Sequence, residues 1–315
     1  MNTNIAIIDL GTNTFHLLVS EFDPQTQTFE TLHRRRAYVR LADDGIHHIG
    51  NNAWIRAIET MKQFAEDLKK FPNTRLYALA TEGLRRASNS TEFINAVYQQ
   101  TGIPIQCISG EQEALFIYLG INNELPKQIQ EPFLLLDIGG GSAEFIIANR
   151  NKAIWKQSFP MGAAVLKNGF FETDLPTTQQ KERLIEHIDQ TLMPFYKAFE
   201  QYRPAVLIGS SGTFDTIEEI FDPHTPLTHK PNITKVDISY MHTITQQLAQ
   251  MTLNQRLNIQ GMNPKRADLI VAPLLMVSYL LKKINIQHLY RSSVAIKEGI
   301  RWCAIYQPEL LDFKK

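Results

Sequence analysis

Cysteine is almost missing from this 315-residue chain; Cys107 and Cys303 are the two present. Two thiols provide neither a disulfide framework nor metal-ligand spacing, and they read as reduced core residues of a cytoplasmic protein. Net charge is missing too, because 32 Lys and Arg balance 32 Asp and Glu. A broad nucleic-acid-binding surface is therefore not expected, and positive charge for an anionic partner has to be concentrated locally. Long apolar runs are also lacking. The longest, from Leu269 to Leu281, contains Pro273 and is too short to cross a bilayer. The start, MNTNIAIIDL, has no basic leader and enters a strand pattern at once, so no signal peptide is expected. With 43% hydrophobic residues the chain can fill the cores of two ordinary domains.

What is present is a phrase that occurs twice. Ile7-Ile8-Asp9-Leu10-Gly11-Thr12-Asn13-Thr14-Phe15 is the first copy, and Leu135-Leu136-Asp137-Ile138-Gly139-Gly140-Gly141-Ser142-Ala143-Glu144-Phe145 the second. Each reads as strand, tight turn, strand, with an acid leaving the first strand. Turns of this kind expose backbone N–H groups to phosphate oxygens, and an acid there can meet a divalent metal. A lone Asp-x-Gly is more simply an aspartate that hydrogen-bonds its own turn. Two copies in matching contexts favour the metal and phosphate reading, with Asp9 and Asp137 as candidate ligands. The three glycines and Ser142 let a ligand approach the backbone closely, and Thr12 and Asn13 offer side-chain donors in the matching place.

Other segments add to this. Gly209-Ser210-Ser211-Gly212-Thr213 follows an apolar strand and precedes a helical pattern, which makes a third anion site at Ser211, Gly212 and Thr213; plain N-capping by Ser or Thr is the simpler alternative. Ser109 with Gln112 forms a capping box that accounts for its segment physically. In the sharper reading Glu113 is a general base acting on water, with Glu144 as the other available carboxylate. The simpler view of Glu144 is an outward polar residue of an alternating strand. Thr81-Glu82-Gly83-Leu84-Arg85-Arg86 puts two guanidiniums at a strand-to-helix junction, where one can face phosphate. Arg34 to Arg36 reads as a solvated strand edge that could steer an anion.

Two rounds of antiparallel strands followed by alternating helix and strand run along the chain. The polar segment Asn122 to Glu131 is the boundary. Helices are expected over 53–70, around Arg85, over 92–100, 111–119 and 179–201, after Thr213, and over 294–306. A further helix is expected to start at Pro264 behind Asn263 as N-cap and to run to Lys282.

Taken together, the motifs resemble those of the exopolyphosphatase/guanosine pentaphosphatase (Ppx/GppA) family. The resemblance is carried by DLGTNTFHLLV (9–19), ATEGLRRASN (80–89), ISGEQEALFIYLG (108–120), LLLDIGGGSAEFII (134–147) and GSSGT (209–213), and more loosely by MGA (161–163) and RADLIVAPLLM (266–276). It implies an α/β protein with a duplicated RNase H-like (actin-like ATPase) fold in the short two-domain form, one domain being 1–122 with 295–315 and the other 123–294, and the active site in the interdomain cleft. It also implies Mg²⁺ or another divalent cation, and removal of the terminal phosphate from polyphosphate or conversion of pppGpp to ppGpp. By position in the family pattern, Glu113 is the base, and Asp137 and Glu144 bind metal and orient water. Asp9, Asn13, Gly140, Gly141, Ser142 and the Ser211–Thr213 loop contact phosphate, and Arg85 matches a cleft arginine. Gln112 stands where an acid is common, and Pro273 where many members have glycine. Longer members carry a C-terminal helical module that these residues do not include. The expected substrate is therefore polyphosphate or guanosine pentaphosphate, with no nucleic acid and no membrane; a homodimer is one open form. A kinase or ATPase on the same fold, and a non-catalytic polyphosphate or alarmone sensor, are the alternatives.

Overall fold

The computed structural model describes residues 2–313. The chain divides into two compact units: residues up to Gly120 with those from Ile296 onward, and Ile121–Ala295 between them.

The first unit opens with three strands, β1 (Thr3–Leu10), β2 (Thr14–Asp23) and β3 (Thr28–Tyr38). Then come α1 (Asn51–Leu68), β4 (Arg75–Ala80), α2 (Glu82–Arg86), α3 (Ser90–Thr101), β5 (Ile105–Cys107) and α4 (Gly110–Asn123). The sheet order is β3-β2-β1-β4-β5. The first three strands pair antiparallel, and β4 and β5 run parallel to β1. Alternate residues of β1 (Ala6, Ile8, Leu10) bury one face against Ala57, Met61 and Phe64 of α1, the helical spacing that makes one apolar stripe.

The second unit repeats the plan with β6 (Phe133–Ile138), β7 (Ala143–Ala148) and β8 (Ala153–Phe159). Next come α5 (Ala163–Phe170), α6 (Thr178–Thr191), α7 (Met193–Tyr202), β9 (Val206–Ser210) and α8 (Gly212–Phe221). After them lie β10 (Ile233–Val236), α9 (Ile238–Leu248), α10 (Leu253–Leu257), α11 (Val271–Lys283) and β11 (His288–Ser292). The chain then returns to the first unit with α12 (Ile296–Tyr306), which packs on β1. The second sheet runs β8-β7-β6-β9-β11-β10. Its first five strands reproduce the order and directions of the first sheet, and β10 is an added antiparallel edge. This is a duplicated RNase H-like fold. Every residue of β6 and β7 is buried, as expected for strands with helices on both faces.

One expected helix is corrected. It begins at Val271 rather than Pro264, and residues 264–269 form turns in which the Asn263 side chain accepts from the Lys265 amide. Pro273 supplies the reason. It has no N–H and is tolerated only in a first helical turn, so a helix running through from Pro264 would lose an internal bond there. α5, β10, α9 and α10 were not expected from the pattern.

Candidate active site

In the first unit the β1–β2 turn is closed by the Gly11 amide donating to Thr14 O at 3.1 Å. The next two carbonyls are held from behind: Thr12 O accepts from Leu41 N (2.8 Å), and Asn13 O from Val39 N and Arg40 N (3.0 and 2.9 Å). A trans peptide points its C=O and the following N–H in opposite directions. Anchoring these carbonyls therefore turns the amides of Asn13 and Thr14 away from the supporting segment. Thr12 is buried under the start of α2 at Gly83.

Asp9 is near the end of β1, directly across from His16 on β2, and His16 is across from Arg36 on β3. Arg34 pairs with Glu298 at 3.9 Å and Arg35 with Asp67 at 2.8 Å, and all three arginines are exposed on this edge strand. The basic run is thus partly structural.

Glu113 is buried on the first turn of α4, 8% exposed. Ser109 and Gln112 form the capping box, with bonds of 2.8 and 3.2 Å. Arg85 donates through Nη1 to Glu113 Oε2 (3.2 Å) and to the Ile108 carbonyl (2.7 Å). Its Nε and Nη2 both reach Glu82 Oε2, at 3.0 and 2.6 Å. Burial opposes the charge of Arg85, but the carboxylates of Glu113 and Glu82 outweigh it and raise the guanidinium above the ordinary arginine value. These four bonds leave one of its five N–H groups. A phosphate contact by Arg85 has to use that group or exchange with Glu82. In this structure it is bonded to the Glu113 carboxylate instead.

In the second unit the glycine turn is built on α5, an element that the spacing did not reveal. The carbonyls of Gly139, Gly140 and Gly141 accept from Ala163 N, Ala164 N and Gly162 N at 2.9, 2.9 and 3.2 Å. By the same peptide geometry, the amides of Gly140, Gly141 and Ser142 face away from α5. Among the described residues they donate to no protein acceptor. The close approach depends on Gly162, where a Cβ would overlap the backbone of Gly140 and Gly141. The result is a concave run of unspent backbone donors, the kind of nest that suits an anion.

Beside the nest lies a row of polar side chains. Ser292 of β11, Ser210 of β9, Asp137 of β6, Glu144 of β7 and Ser158 of β8 stand at directly paired positions. They share one face at the carboxyl end of the parallel strands, where open α/β sheets bind ligands. Asp137 and Glu144 are 6% and 1% exposed. Glu144 is therefore not an outward polar residue, because β7 has no solvent face. Ser158 Oγ donates to Glu144 Oε1 at 2.7 Å.

The third loop leaves the same row after Ser210. Ser211 stands at the N-cap of α8, but its side chain makes no capping hydrogen bond, so plain capping does not account for it. Its φ of 72° and ψ of −173° fall in a region that is essentially reserved for glycine and costs about 1–3 kcal/mol. Strain of that size persists where the surroundings dictate it. Here Gly209 lets the ring of Phe214 lie directly on the strand, where any Cβ would overlap it. Arg266 Nη1 donates to Gly212 O at 3.2 Å.

Among the described residues no group of three or more His, Cys, Asp or Glu side chains is arranged to hold a metal. The fit is of a different kind. Two buried carboxylates opposed on neighbouring strands are mutually repulsive, and Mg²⁺ often uses only one or two carboxylates together with waters and substrate phosphates. Asp137 and Glu144 would suit such an ion. Asp9 has His16 where Asp137 has Glu144, so the two turns differ chemically. Ser158 was not picked out by the sequence; Ser210, Glu82 and Gly162 lay inside the GSSGT, ATEGLRRASN and MGA motifs without a role of their own.

Comparison with known proteins agrees with this geometry. The profile of the Ppx/GppA phosphatase family matches residues 18–305. A Haemophilus influenzae protein provisionally named an exopolyphosphatase is 29% identical over 298 residues, covering 94% of this chain and 90% of that protein. The crystal structure of an exopolyphosphatase from Cytophaga hutchinsonii is 32% identical with a TM-score of 0.90, covering 96% of this chain and 97% of that one. An Aquifex aeolicus Ppx/GppA family member, 21% identical with a TM-score of 0.80 over 98% of this chain and 99% of that one, shares the fold. The class is thus that of hydrolases acting on phosphorus-containing acid anhydrides, built on a duplicated RNase H-like fold. The chain belongs to the Ppx/GppA phosphatase family.

Proposed function

We propose that the chain is an exopolyphosphatase that releases the terminal phosphate of inorganic polyphosphate with Mg²⁺, and that pppGpp can enter the same loops. The observation that carries this reading is the buried Asp137–Glu144 pair beside three unspent amides at Gly140, Gly141 and Ser142. Acids that can share a cation, next to donors for anionic oxygens, suit a phosphoanhydride terminus. The names of the Haemophilus and Cytophaga relatives support polyphosphate as the substrate.

The roles are these. Glu113, held in one orientation by Arg85, accepts a proton from the attacking water. The water oxygen bonds to the terminal phosphorus, and the bridging oxygen leaves with the shortened chain. The Gly139–Ser142 and Ser211–Thr213 loops hold the phosphoryl oxygens, and the amides of Gly140, Gly141 and Ser142 stabilise charge as it develops. Thr12 and Asn13 hold phosphate at the first turn, and Asp9 would be a further carboxylate ligand for the metal. Asp137 and Glu144 would hold Mg²⁺, which when bound neutralises phosphate charge. The proposal includes a cytoplasmic location.

Comparing specificity constants for short polyphosphate, long polyphosphate and pppGpp, with Mg²⁺ and with chelator, tests the reading. The expected order puts polyphosphate first, with release abolished by chelator. Tight binding of pppGpp without phosphate release would favour a sensor instead.

A further inference from the structure

We infer that Ser158 is a positioning residue that aims the Glu144 carboxylate; this rests on the role proposed above for Glu144. Ser158 belongs to the edge strand β8 and lies directly across from Glu144. Its hydroxyl donates to Oε1 at 2.7 Å, within the range of a charge-assisted hydroxyl–carboxylate bond. Glu144 is 1% exposed, so bulk water cannot orient it. The last torsion of a glutamate is broad and roughly two-fold, and the Ser158 hydroxyl, bonded to Oε1, favours the orientation that keeps this bond. The neighbouring pairing places Asp137 on the other side of Glu144. A carboxylate that turned freely beside another acid would not present a fixed oxygen to a substrate. Outer-shell donors of this kind are worth about 10–100-fold in activity when removed from sites that hold a metal.

The test is steady-state polyphosphate hydrolysis by Ser158→Ala, Ser158→Thr and Glu144→Gln, with thermal unfolding of each. Ser158→Ala is expected to lower kcat by about 10–100-fold with KM nearly unchanged and Tm within about 2–4 °C of the parent. Ser158→Thr keeps the hydroxyl and suits an edge strand, so it is expected to retain most of the turnover. If the alanine variant does not fold, Ser158→Cys keeps the volume, offers only a weak donor and is expected to show the same loss. Parental kcat in the folded alanine or cysteine variant would overturn the inference. So would a threonine variant as impaired as alanine. An inactive Glu144→Gln with a fully active Ser158→Ala sinks only the positioning role, whereas a fully active Glu144→Gln sinks the underlying assignment of Glu144.

Discussion

Replacing Glu113 with Gln is expected to lower kcat for polyphosphate by about 10²–10⁴-fold, the usual contribution of a positioned base, while polyphosphate still binds. That loss corresponds to roughly 3–5 kcal/mol of transition-state stabilisation at 1.36 kcal/mol per decade. The substitution is nearly isosteric. The amide oxygen can still accept from Arg85 Nη1, and Arg85 keeps two bonds to Glu82. Folding should therefore be little affected, and the loss can be read as chemistry. Steady-state kinetics with equilibrium binding of polyphosphate separates the two. Parental turnover by Glu113→Gln, on polyphosphate and on pppGpp alike, would remove Glu113 from the mechanism.

The second large effect concerns stability. Asp215, in the first turn of α8, is the carboxylate under the Ser211–Thr213 loop. Its Oδ1 accepts from Arg291 Nε and Nη2 at 3.0 and 2.6 Å, and its Oδ2 faces Arg266 Nη2 at 3.5 Å. Arg291 is 1% exposed and Asp215 7%. A guanidinium so deep pays a desolvation cost that one carboxylate offsets. Asp215→Ala should destabilise the second unit by about 3–5 kcal/mol, the range for a buried pair that loses one partner. That is a large share of the about 5–15 kcal/mol that holds a domain together. Asp215→Asn keeps an acceptor for Arg291 and is expected to cost less. Urea unfolding followed by hydrogen exchange across 121–295 measures both. A cost for Asp215→Ala below about 1 kcal/mol would mean that the pair behaves as a surface bridge. Because Arg266 also holds the Gly212 carbonyl, the alanine variant should raise KM for polyphosphate as well.

Much of this was legible from sequence because strand-turn-strand phrases are local. Asp9, Asp137 and the three loops are each defined within a dozen residues, and the repeat announced the duplicated sheet. The polar row was not legible. Which residue faces Asp137 depends on the register across the turn and on β9, which lies far along the chain, so Ser158 carried no signal and Ser210 none beyond its place in the GSSGT motif. Alternation misled at Glu144, because β7 is covered on both faces and has no outward side. A local N-cap signal at Asn263-Pro264 was overruled by Pro273, which fixes where the next helix can begin. The support under the glycine turn was missed for a related reason. α5 is short, and its role is to receive three carbonyls through backbone amides, which no side-chain pattern reports. The plain reading of Ser109–Gln112 as a capping box was right and does not compete with the sharper one. The box positions the first turn of α4, and Glu113 is the next residue on it.

Hydrolysis of polyphosphate in H₂¹⁸O, with mass analysis of the released phosphate, tests the central claim most directly. Attack by water on the terminal phosphorus predicts one solvent oxygen in each phosphate released and a chain shortened by one unit at each turnover. Phosphate free of ¹⁸O, transfer to an acceptor hydroxyl, or tight binding with no release would contradict it.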